Sequence, residues 1–187
     1  MLVRRGGSGK HLVVDRMRHL EEILSGRVTL LMSSRLEIAA SVETADLVIG
    51  AVLIPGALAP KLVTRERVAT MNDGAVVVDV AIDQGGCFET SRPTTHSDPV
   101  YVVDGVIHYC VANMPGGVPV TSTMALTNAT LPYVEAIAER GLREAVAEDP
   151  ALARGVNVLA GKVTYAAVAE AHGLAHTPLQ DALALAG

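Results

Sequence analysis

The feature that most constrains the fold is a largely apolar run, residues 75–82, that ends in polar residues and two glycines. Nearly all its side chains are β-branched or small, which is typical of a strand covered on both faces in a parallel sheet. Asp83, Gln84, Gly85 and Gly86 follow directly. Ligands of open α/β sheets bind just beyond the carboxyl ends of strands. Asp83 is therefore the first candidate for chemistry, although an acid in this place can also serve only to cap the next turn.

Strand and helix signals alternate along the first half of the chain. This rhythm predicts βαβ units and a parallel sheet with right-handed crossovers. Ser33 and Ser34 precede the second predicted helix and can cap it. The predicted strands are residues 11–15, 28–32, 45–52 and 75–82, and the predicted helices are residues 16–25, 36–44 and a short helix that ends at residue 71.

The second half begins with two short strands joined by an Asp104-Gly105 turn, a strong hairpin signal. They lead to a second polar, glycine-rich strand end, residues 112–119, which we expect near the first one. A long helix is predicted over residues 121–140, and Pro132 is expected to kink it. The tail predicts a hairpin around Gly161, a short helix over residues 166–172 closed by Gly173, and a short docking segment.

Composition excludes several classes of protein. Of 187 residues, 50% are hydrophobic but only 3% aromatic, which indicates a mainly aliphatic core. The net charge of -5 and the lack of a long basic block argue against nucleic acid as a partner. No run is long enough to span a membrane and no signal core is visible, so a cytoplasmic location is expected. Cys87 and Cys110 fit no zinc template or disulfide framework, and no metal site is expected.

A glycine-rich segment near the start, residues 6–10, resembles part of a phosphate-binding loop. A complete loop would have a glycine in place of Arg4 and a Ser or Thr in place of His11. The sequence shows no strand signal ahead of the segment and no helix signal directly after it. Residues 1–10 are therefore predicted to be a flexible N-terminal segment.

Four blocks together resemble bacterial L-alanine dehydrogenases. They are residues 45–56, residues 79–96, residues 108–116 and residues 121–133. The likeness covers residues from about 12 to about 183. The related proton-translocating transhydrogenases usually carry glutamate in place of Asp83, so they are the second choice.

The resemblance implies an NAD-linked reaction in which L-alanine, NAD and water give pyruvate, ammonia and NADH. Asp83 matches the carboxylate that transfers protons at the substrate amine and water. Such a carboxylate in a water-poor cleft is suited to this work. Asp15 matches the acid that binds the adenosine ribose, and Ser33 matches a residue near the adenine. The other matching cofactor positions are the apolar walls Val52 and Leu62, together with Val80, Asn113 and Met114.

The chain departs from the family at its start, because no first strand with a Gly-x-Gly-x-x-Gly loop is recognisable. The family's substrate domain, with its Arg, Lys and His, is not recognisable either. The implied fold is an incomplete Rossmann-type α/β sheet, with a C-terminal helical and hairpin segment belonging to the substrate domain. The predicted domains are a flexible segment 1–10, a partial NAD-binding domain 11–120 and a substrate-domain part 121–187.

These departures leave three readings open. The chain could be an enzyme that requires a complementing chain, a nucleotide-binding or oligomer-interaction module, or a remnant without activity. An exposed sheet edge and apolar helix face predict pairing with another copy or a complementing chain. His96 and Arg92 are interpreted as loop residues and His108 as structural, while Met114 can either pack or contact the cofactor.

Overall fold

A computed structural model describes residues 2–4, 10–24, 26 and 28–186, with side chains described from residue 14 onward. The chain divides into two compact units. The first comprises Met1–Val52 and Pro60–Ala112, and the second comprises Leu53–Ala59 and Asn113–Gly187. Residues 53–59 thus belong to the second unit, and the predicted domains 11–120 and 121–187 stay a prediction.

The first unit is built on a four-stranded, mostly parallel sheet. Its strands are β3 (Leu47–Gly50), β4 (Val76–Asp79), β5 (Val100–Val103) and β6 (Val106–Tyr109), in the order β3-β4-β6-β5. β3, β4 and β6 run parallel, and β5 returns antiparallel to β6. Asp104 and Gly105 both adopt positive φ in the β5–β6 turn, so the predicted hairpin is confirmed.

The core of this unit lies on one face of β4. Val77 on β4, Val106 on β6 and Val68 in helix α3 (Arg65–Val68) are fully buried with Phe88. The other face of β4 is only half-buried. On the neighbouring β3, Leu47 is 54% and Ile49 is 60% exposed. The strand predicted to be covered on both faces is therefore covered on one, and the expected exposed apolar surface is present at β3.

Helix α2 (Arg35–Glu43) confirms the predicted helix and its cap. The Ser34 hydroxyl accepts a hydrogen bond from the Glu37 backbone N–H at 3.1 Å, which satisfies one of the free donors in the first turn. The helix buries Ala39 and Val42. It follows strand β2 (Leu30–Met32), which lies within the predicted strand 28–32.

The start of the chain corrects two expectations. Strand β1 (Leu2–Arg4) pairs parallel with β2, and helix α1 (Lys10–Ile23) lies between them in sequence. Residues 2–4 were predicted to belong to a flexible segment but form a strand. This strand precedes the glycine-rich segment, where the sequence showed no strand signal. Residues 5–9, and with them most of the predicted phosphate-loop resemblance, lie outside the described residues.

The strand predicted at residues 11–15 is wrong, because these residues belong to α1. Val13, Met17, Leu20 and Leu24 recur every three or four residues, which is helical spacing. A long helix also spreads the unfavourable cost of its first turn over more hydrogen bonds than a short one. That periodicity outweighs the strand tendency of the valine pair.

The second unit is mainly helical. It contains α4 (Pro119–Glu148), α5 (Pro150–Gly155), α6 (Ala166–His172) and α7 (Leu179–Leu185), with a hairpin of β7 (Val158–Leu159) and β8 (Lys162–Val163). The hairpin around Gly161 and the helix closed by left-handed Gly173 are confirmed. Within α4 the non-helical backbone is at Gly141, with φ 76° and ψ 162°, rather than at Pro132. Glycine adopts that conformation without a steric penalty.

The architecture confirms the predicted fold class, an α/β fold with a mostly parallel Rossmann-type sheet and flanking helices. In the part of the chain that the structure describes, none of the helices has the length and apolar character needed to cross a bilayer.

Candidate cofactor and catalytic site

Residues 80–91, here called the Asp79 loop, follow the carboxyl end of β4. The strand ends at Asp79, three residues earlier than predicted, and a 3₁₀ turn over Val80–Gln84 begins there. Asp83 lies in this turn and is exposed to solvent. The cap of the turn is Asp79, whose Oδ1 accepts from the Ala81 N–H at 3.1 Å. Asp83 is thus presented by the turn and does not cap it.

The buried carboxylate of Asp79 is the centre of the loop. Its Oδ2 accepts hydrogen bonds from the backbone N–H of Cys87 at 2.8 Å and of Phe88 at 3.4 Å. The same oxygen accepts from the Ser91 hydroxyl at 2.6 Å. Asp79 is fully buried, and such a group is stable inside a protein only when hydrogen bonds replace its water. Sequence reasoning missed this residue, although an acid inside a β-branched strand was the available signal.

Two glycines let the loop approach this carboxylate and the neighbouring strand. Gly86 has φ +75°, and a Cβ there would lie 2.6 Å from Asp79 Oδ2. Gly50 is the last residue of β3, and a Cβ there would overlap Cys87 Sγ and lie 2.7 Å from the Phe88 ring. Close approach of this kind requires glycine. The loop is therefore packed both against its own strand and against the end of β3.

The outer side of the loop is tied to residues 61–65. Lys61 Nζ donates to the carbonyl oxygen of Gly85 at 2.5 Å and of Phe88 at 3.1 Å. The Leu62 N–H donates to the Cys87 carbonyl at 2.8 Å. Further on, the Glu89 carboxylate accepts from the Arg65 N–H at 2.9 Å at the start of α3. Residues 85–89 are held on both sides.

The rear of the loop, residues 87–91, is supported by Tyr101 and His108. The Tyr101 hydroxyl donates to the Thr90 carbonyl at 2.9 Å and accepts from the Arg92 N–H at 2.8 Å. The Arg92 guanidinium lies 4.0 Å from the centre of the Tyr101 ring, a cation–π contact. Burial raises the pKa of Tyr101, so this phenol is a hydrogen-bonding group and not an acid. Both the backbone and the side chain of Arg92 are thus held by Tyr101.

His108 is a structural residue, as predicted. It is fully buried, and its ring stacks on Tyr101 with centroids 5.0 Å apart. Nδ1 lies 2.9 Å from the Val106 carbonyl and must donate to it, so Nε2 accepts from the Thr90 hydroxyl at 2.7 Å. Burial lowers the pKa of His108, which agrees with this neutral tautomer. Both ring nitrogens are occupied by the support of the loop.

The cysteines are buried free thiols. Cys87 Sγ donates to Asp79 Oδ1 at 3.5 Å, and burial beside that carboxylate raises the pKa of Cys87 to about 12. A thiol that stays protonated is a poor nucleophile. Among the described residues, no group of three or more His, Cys, Asp or Glu is arranged to hold a metal ion.

Three of the predicted cofactor residues surround the Asp79 loop. Val80 is its first residue and is 50% exposed. Val52 lies two residues beyond the end of β3, whose Gly50 pairs with Asp79. Leu62 is hydrogen-bonded to the loop at Cys87. These apolar side chains therefore lie near the carboxyl ends of adjacent parallel strands, where a Rossmann-type sheet binds its ligand.

The other predicted residues are placed differently. Ser33 directly follows β2 and is half-buried at the carboxyl end of that strand. Asp15 is not at a strand end, because it lies in α1, where its exposed carboxylate accepts from Arg18 at 3.3 Å. Its expected position for ribose binding is thus not observed, and its role stays a prediction.

Asn113 and Met114 belong to the second unit. Asn113 has φ 59° and precedes a 3₁₀ turn over Met114–Gly117. Its carbonyl accepts from the Gly116 N–H at 2.9 Å. Asn113 is exposed and Met114 half-buried. Asparagine adopts the left-handed conformation more readily than most residues other than glycine, so this backbone geometry alone does not mark a functional site.

One further polar group in the Asp79 loop was not singled out from sequence. Within the described residues, the buried Oε1 of Gln84 has no hydrogen-bond partner. Buried polar atoms are almost always paired, and this acceptor lies next to Asp83 in the loop.

Comparison with known proteins assigns the chain to a family. The family model described as "Alanine dehydrogenase/PNT, C-terminal domain" matches residues 11–166. Curated alanine dehydrogenases are similar over most of the chain. That of Halomonas elongata is 58% identical over 161 residues, covering 86% of this chain and 43% of its own length. That of Mycolicibacterium smegmatis is 52% identical over 183 residues, covering 95% and 49%. The chain therefore spans under half the length of these relatives.

Solved structures agree with this assignment. A structure described as L-alanine dehydrogenase matches with a TM-score of 0.73 and 51% identity, over 86% of this chain and 44% of that one. A transhydrogenase from Sinorhizobium meliloti matches with a TM-score of 0.59 at 24% identity, which shows a shared fold. By sequence and by structure, the chain belongs to the alanine dehydrogenase/PNT family and corresponds to its C-terminal domain.

Proposed function

We propose that this chain carries the NAD-binding half of an L-alanine dehydrogenase site. The reaction converts L-alanine, NAD and water to pyruvate, ammonia and NADH. The observation that most supports this proposal is the Asp79 loop, which presents Asp83 just after the end of a parallel strand. Gly50 and Gly86 allow the close packing of this loop. The match to curated alanine dehydrogenases points the same way.

In this proposal Asp83 moves protons. Bound NAD would take the hydride from the substrate Cα. The Asp83 carboxylate accepts a proton from the substrate ammonium group and releases it to solvent before hydride transfer. It then accepts a proton from the water that attacks the resulting carbon–nitrogen double bond and returns that proton to the nitrogen. The carbon–nitrogen bond breaks, the hydroxyl proton passes to the departing ammonia, and the carbonyl of pyruvate forms. A carboxylate within hydrogen-bond reach of these groups is suited to both transfers.

The described residues fit one end of the cofactor better than the other. Val52, Leu62 and Val80 are proposed as the apolar walls of the cofactor cleft, and the first two are half-buried while Val80 is 50% exposed. Among the described residues, Gln84 Oε1 has no hydrogen-bond partner. Asn113 and Met114 are proposed to lie beside the nicotinamide, and Ser33 beside the adenine. Asp15 in α1 does not occupy a strand end, so the ribose end is the weaker part of the fit.

We further propose that the 187-residue chain does not turn over alanine alone. The chain matches under half of each relative, and the rest of those proteins has no counterpart in it. In this proposal turnover also uses substrate-binding Arg and Lys side chains, which belong to the part of the relatives that this chain does not match. We also propose a cytoplasmic location.

NADH binding tests the cofactor role. Val80→Asp introduces a charge into the proposed apolar wall, and we expect NADH affinity to fall roughly tenfold. The matched control is Val102→Asp on β5, because Val102 is also an exposed valine, at 63% against 50% for Val80. Fluorescence titration of NADH measures both. Equal affinities in the two variants, or no binding by the wild-type chain, would contradict the proposal.

A second candidate is an interaction module without catalysis. Its support is the surface of α4, where Val120 is 78%, Leu126 66% and Met124 59% exposed. Large apolar side chains gathered on one helix commonly mark a contact surface. Association without NADH binding would favour this candidate over the enzyme half.

A further inference from the structure

We propose that Asp79 is the positioning residue of this site: it sets the orientation of Val80 and Asp83 by holding the Asp79 loop. The inference rests on the function proposed above for those two residues. Asp79 is fully buried and therefore touches no ligand itself. Whatever it contributes must pass through the residues that it binds.

The backbone donors divide between the two carboxylate oxygens. Oδ1 accepts from the Ala81 N–H in the turn that carries Asp83, and also from the Cys87 thiol at 3.5 Å. Oδ2 accepts from the N–H groups of Cys87 and Phe88 and from the Ser91 hydroxyl, all of them at the rear of the loop. One side chain thus joins the beginning of the loop to its end. A carboxylate can do this because both of its oxygens are acceptors.

The packing leaves the carboxylate no alternative position that preserves the loop. Gly86 passes so closely that a Cβ would lie 2.6 Å from Oδ2 and 2.9 Å from Ser91 Cβ. On the outer side, Lys61 holds the carbonyls of Gly85 and Phe88. Any shift of Asp79 is therefore expected to move the turn with Asp83, because Oδ1 of Asp79 accepts the Ala81 N–H at the start of that turn.

Asp79→Asn separates these functions, because an amide has one acceptor oxygen and one NH₂ group. Backbone N–H groups cannot reverse their polarity, so the amide oxygen is expected to face the two donors of Cys87 and Phe88. The NH₂ group then faces the Ala81 N–H, and that hydrogen bond is lost. The variant should loosen the turn of Asp83 more than the rear of the loop.

The experiment compares three full-length chains: the wild type, Asp79→Asn and the control Thr94→Val. Thr94 is buried outside the loop, and its hydroxyl donates to the Pro99 carbonyl at 3.0 Å. Amide exchange at Ala81 and Cys87, the Asp83 rotamer from three-bond couplings, and NADH affinity are measured. For Asp79→Asn we expect faster exchange at Ala81, averaged Asp83 couplings and roughly tenfold weaker NADH binding. Thr94→Val should change none of these.

The outcomes are distinguishable from failure of the proposed function. If the wild type binds no NADH, the proposed function fails, while exchange and couplings still decide the role of Asp79. Unchanged Ala81 exchange and Asp83 couplings in Asp79→Asn overturn the inference. So does unchanged NADH affinity despite a loosened turn.

A second variant keeps the inference testable should Asp79→Asn not fold. Ser91→Ala removes one donor from Oδ2 and leaves the carboxylate in place. We expect faster exchange at Cys87, with Ala81 unaffected, because Oδ1 is not involved. Faster exchange at Ala81 alone would overturn the division of the two oxygens.

Discussion

At the scale of single residues, the site contains two acids, Asp79 and Asp83, that differ in burial. Asp83, the residue proposed for proton transfer, is the exposed member of the pair. Asp79, four residues earlier, is buried and bonded to the turn and to the rear of the loop. The sequence contains both acids, but their partners lie up to twelve residues away, so local pattern could not rank them.

His108 predicts a pH dependence of stability. Burial holds its pKa below the ordinary value of 6.5. The unfolded chain therefore binds the proton first as the pH falls, and stability decreases on acidification below that value. We expect the free energy of unfolding to fall more steeply in the wild type than in His108→Asn between about pH 7 and about pH 5. Denaturant titrations across this range measure it, and parallel curves would contradict the role assigned to His108.

At the scale of elements, local signals worked where the chain makes its own contacts. The β5–β6 hairpin, the cap of α2 and the end of α6 were all predictable from a few neighbouring residues. Helix α1 was not, because strand and helix signals overlap at residues 11–15 and the longer helical period prevails. The early end of β4 was also missed, since it follows from the cap made by Asp79.

The β5–β6 turn allows a test of whether its backbone conformation requires glycine. Gly105 has φ +78°, and a Cβ there would overlap the Asp73 carboxylate. Gly105→Ala is expected to lower the free energy of unfolding by about 1–3 kcal/mol through backbone strain. Gly155→Ala is the control, because it lies in α5 with no atom within 4 Å of the added Cβ. Thermal unfolding of both compares them, and equal midpoints would count against a strained turn.

At the scale of the whole molecule, the chain is a family domain with an uncovered surface. It matches under half the length of its relatives. On α4, Val120, Met124, Leu131 and Val134 recur every three, four or seven residues and all are at least 46% exposed. Residues at this spacing share one helix face. We expect another polypeptide to cover that face.

Self-association of the purified chain tests this expectation. Replacing Leu131 and Val134 with Glu puts two charges on the exposed face and should shift the protein toward monomer, because burying unpaired charge is unfavourable. Ala125→Glu serves as the control, because Ala125 is exposed and its neighbours one turn away on α4 are Thr121, Ser122, Asn128 and Ala129, none of them a large apolar residue. Sedimentation velocity over a range of concentrations reports the species. A wild type that stays monomeric throughout would contradict association through α4.

By itself, the sequence determined the family, the parallel sheet and the turns, because these depend on composition, periodicity and short motifs such as Asp104-Gly105. It also singled out the stretch from residue 74 to 89 as the place of chemistry. Only the tertiary structure decided that Asp79 organises that stretch, that β1 pairs with β2 across α1, and that Asp15 lies in a helix. For Asp79 and for β1 the physical reason is the same: hydrogen bonds and strand pairing join residues distant in sequence, and their strength depends on burial that no local pattern records. Asp15 lies in a helix because the longer helical period prevails over an overlapping strand signal.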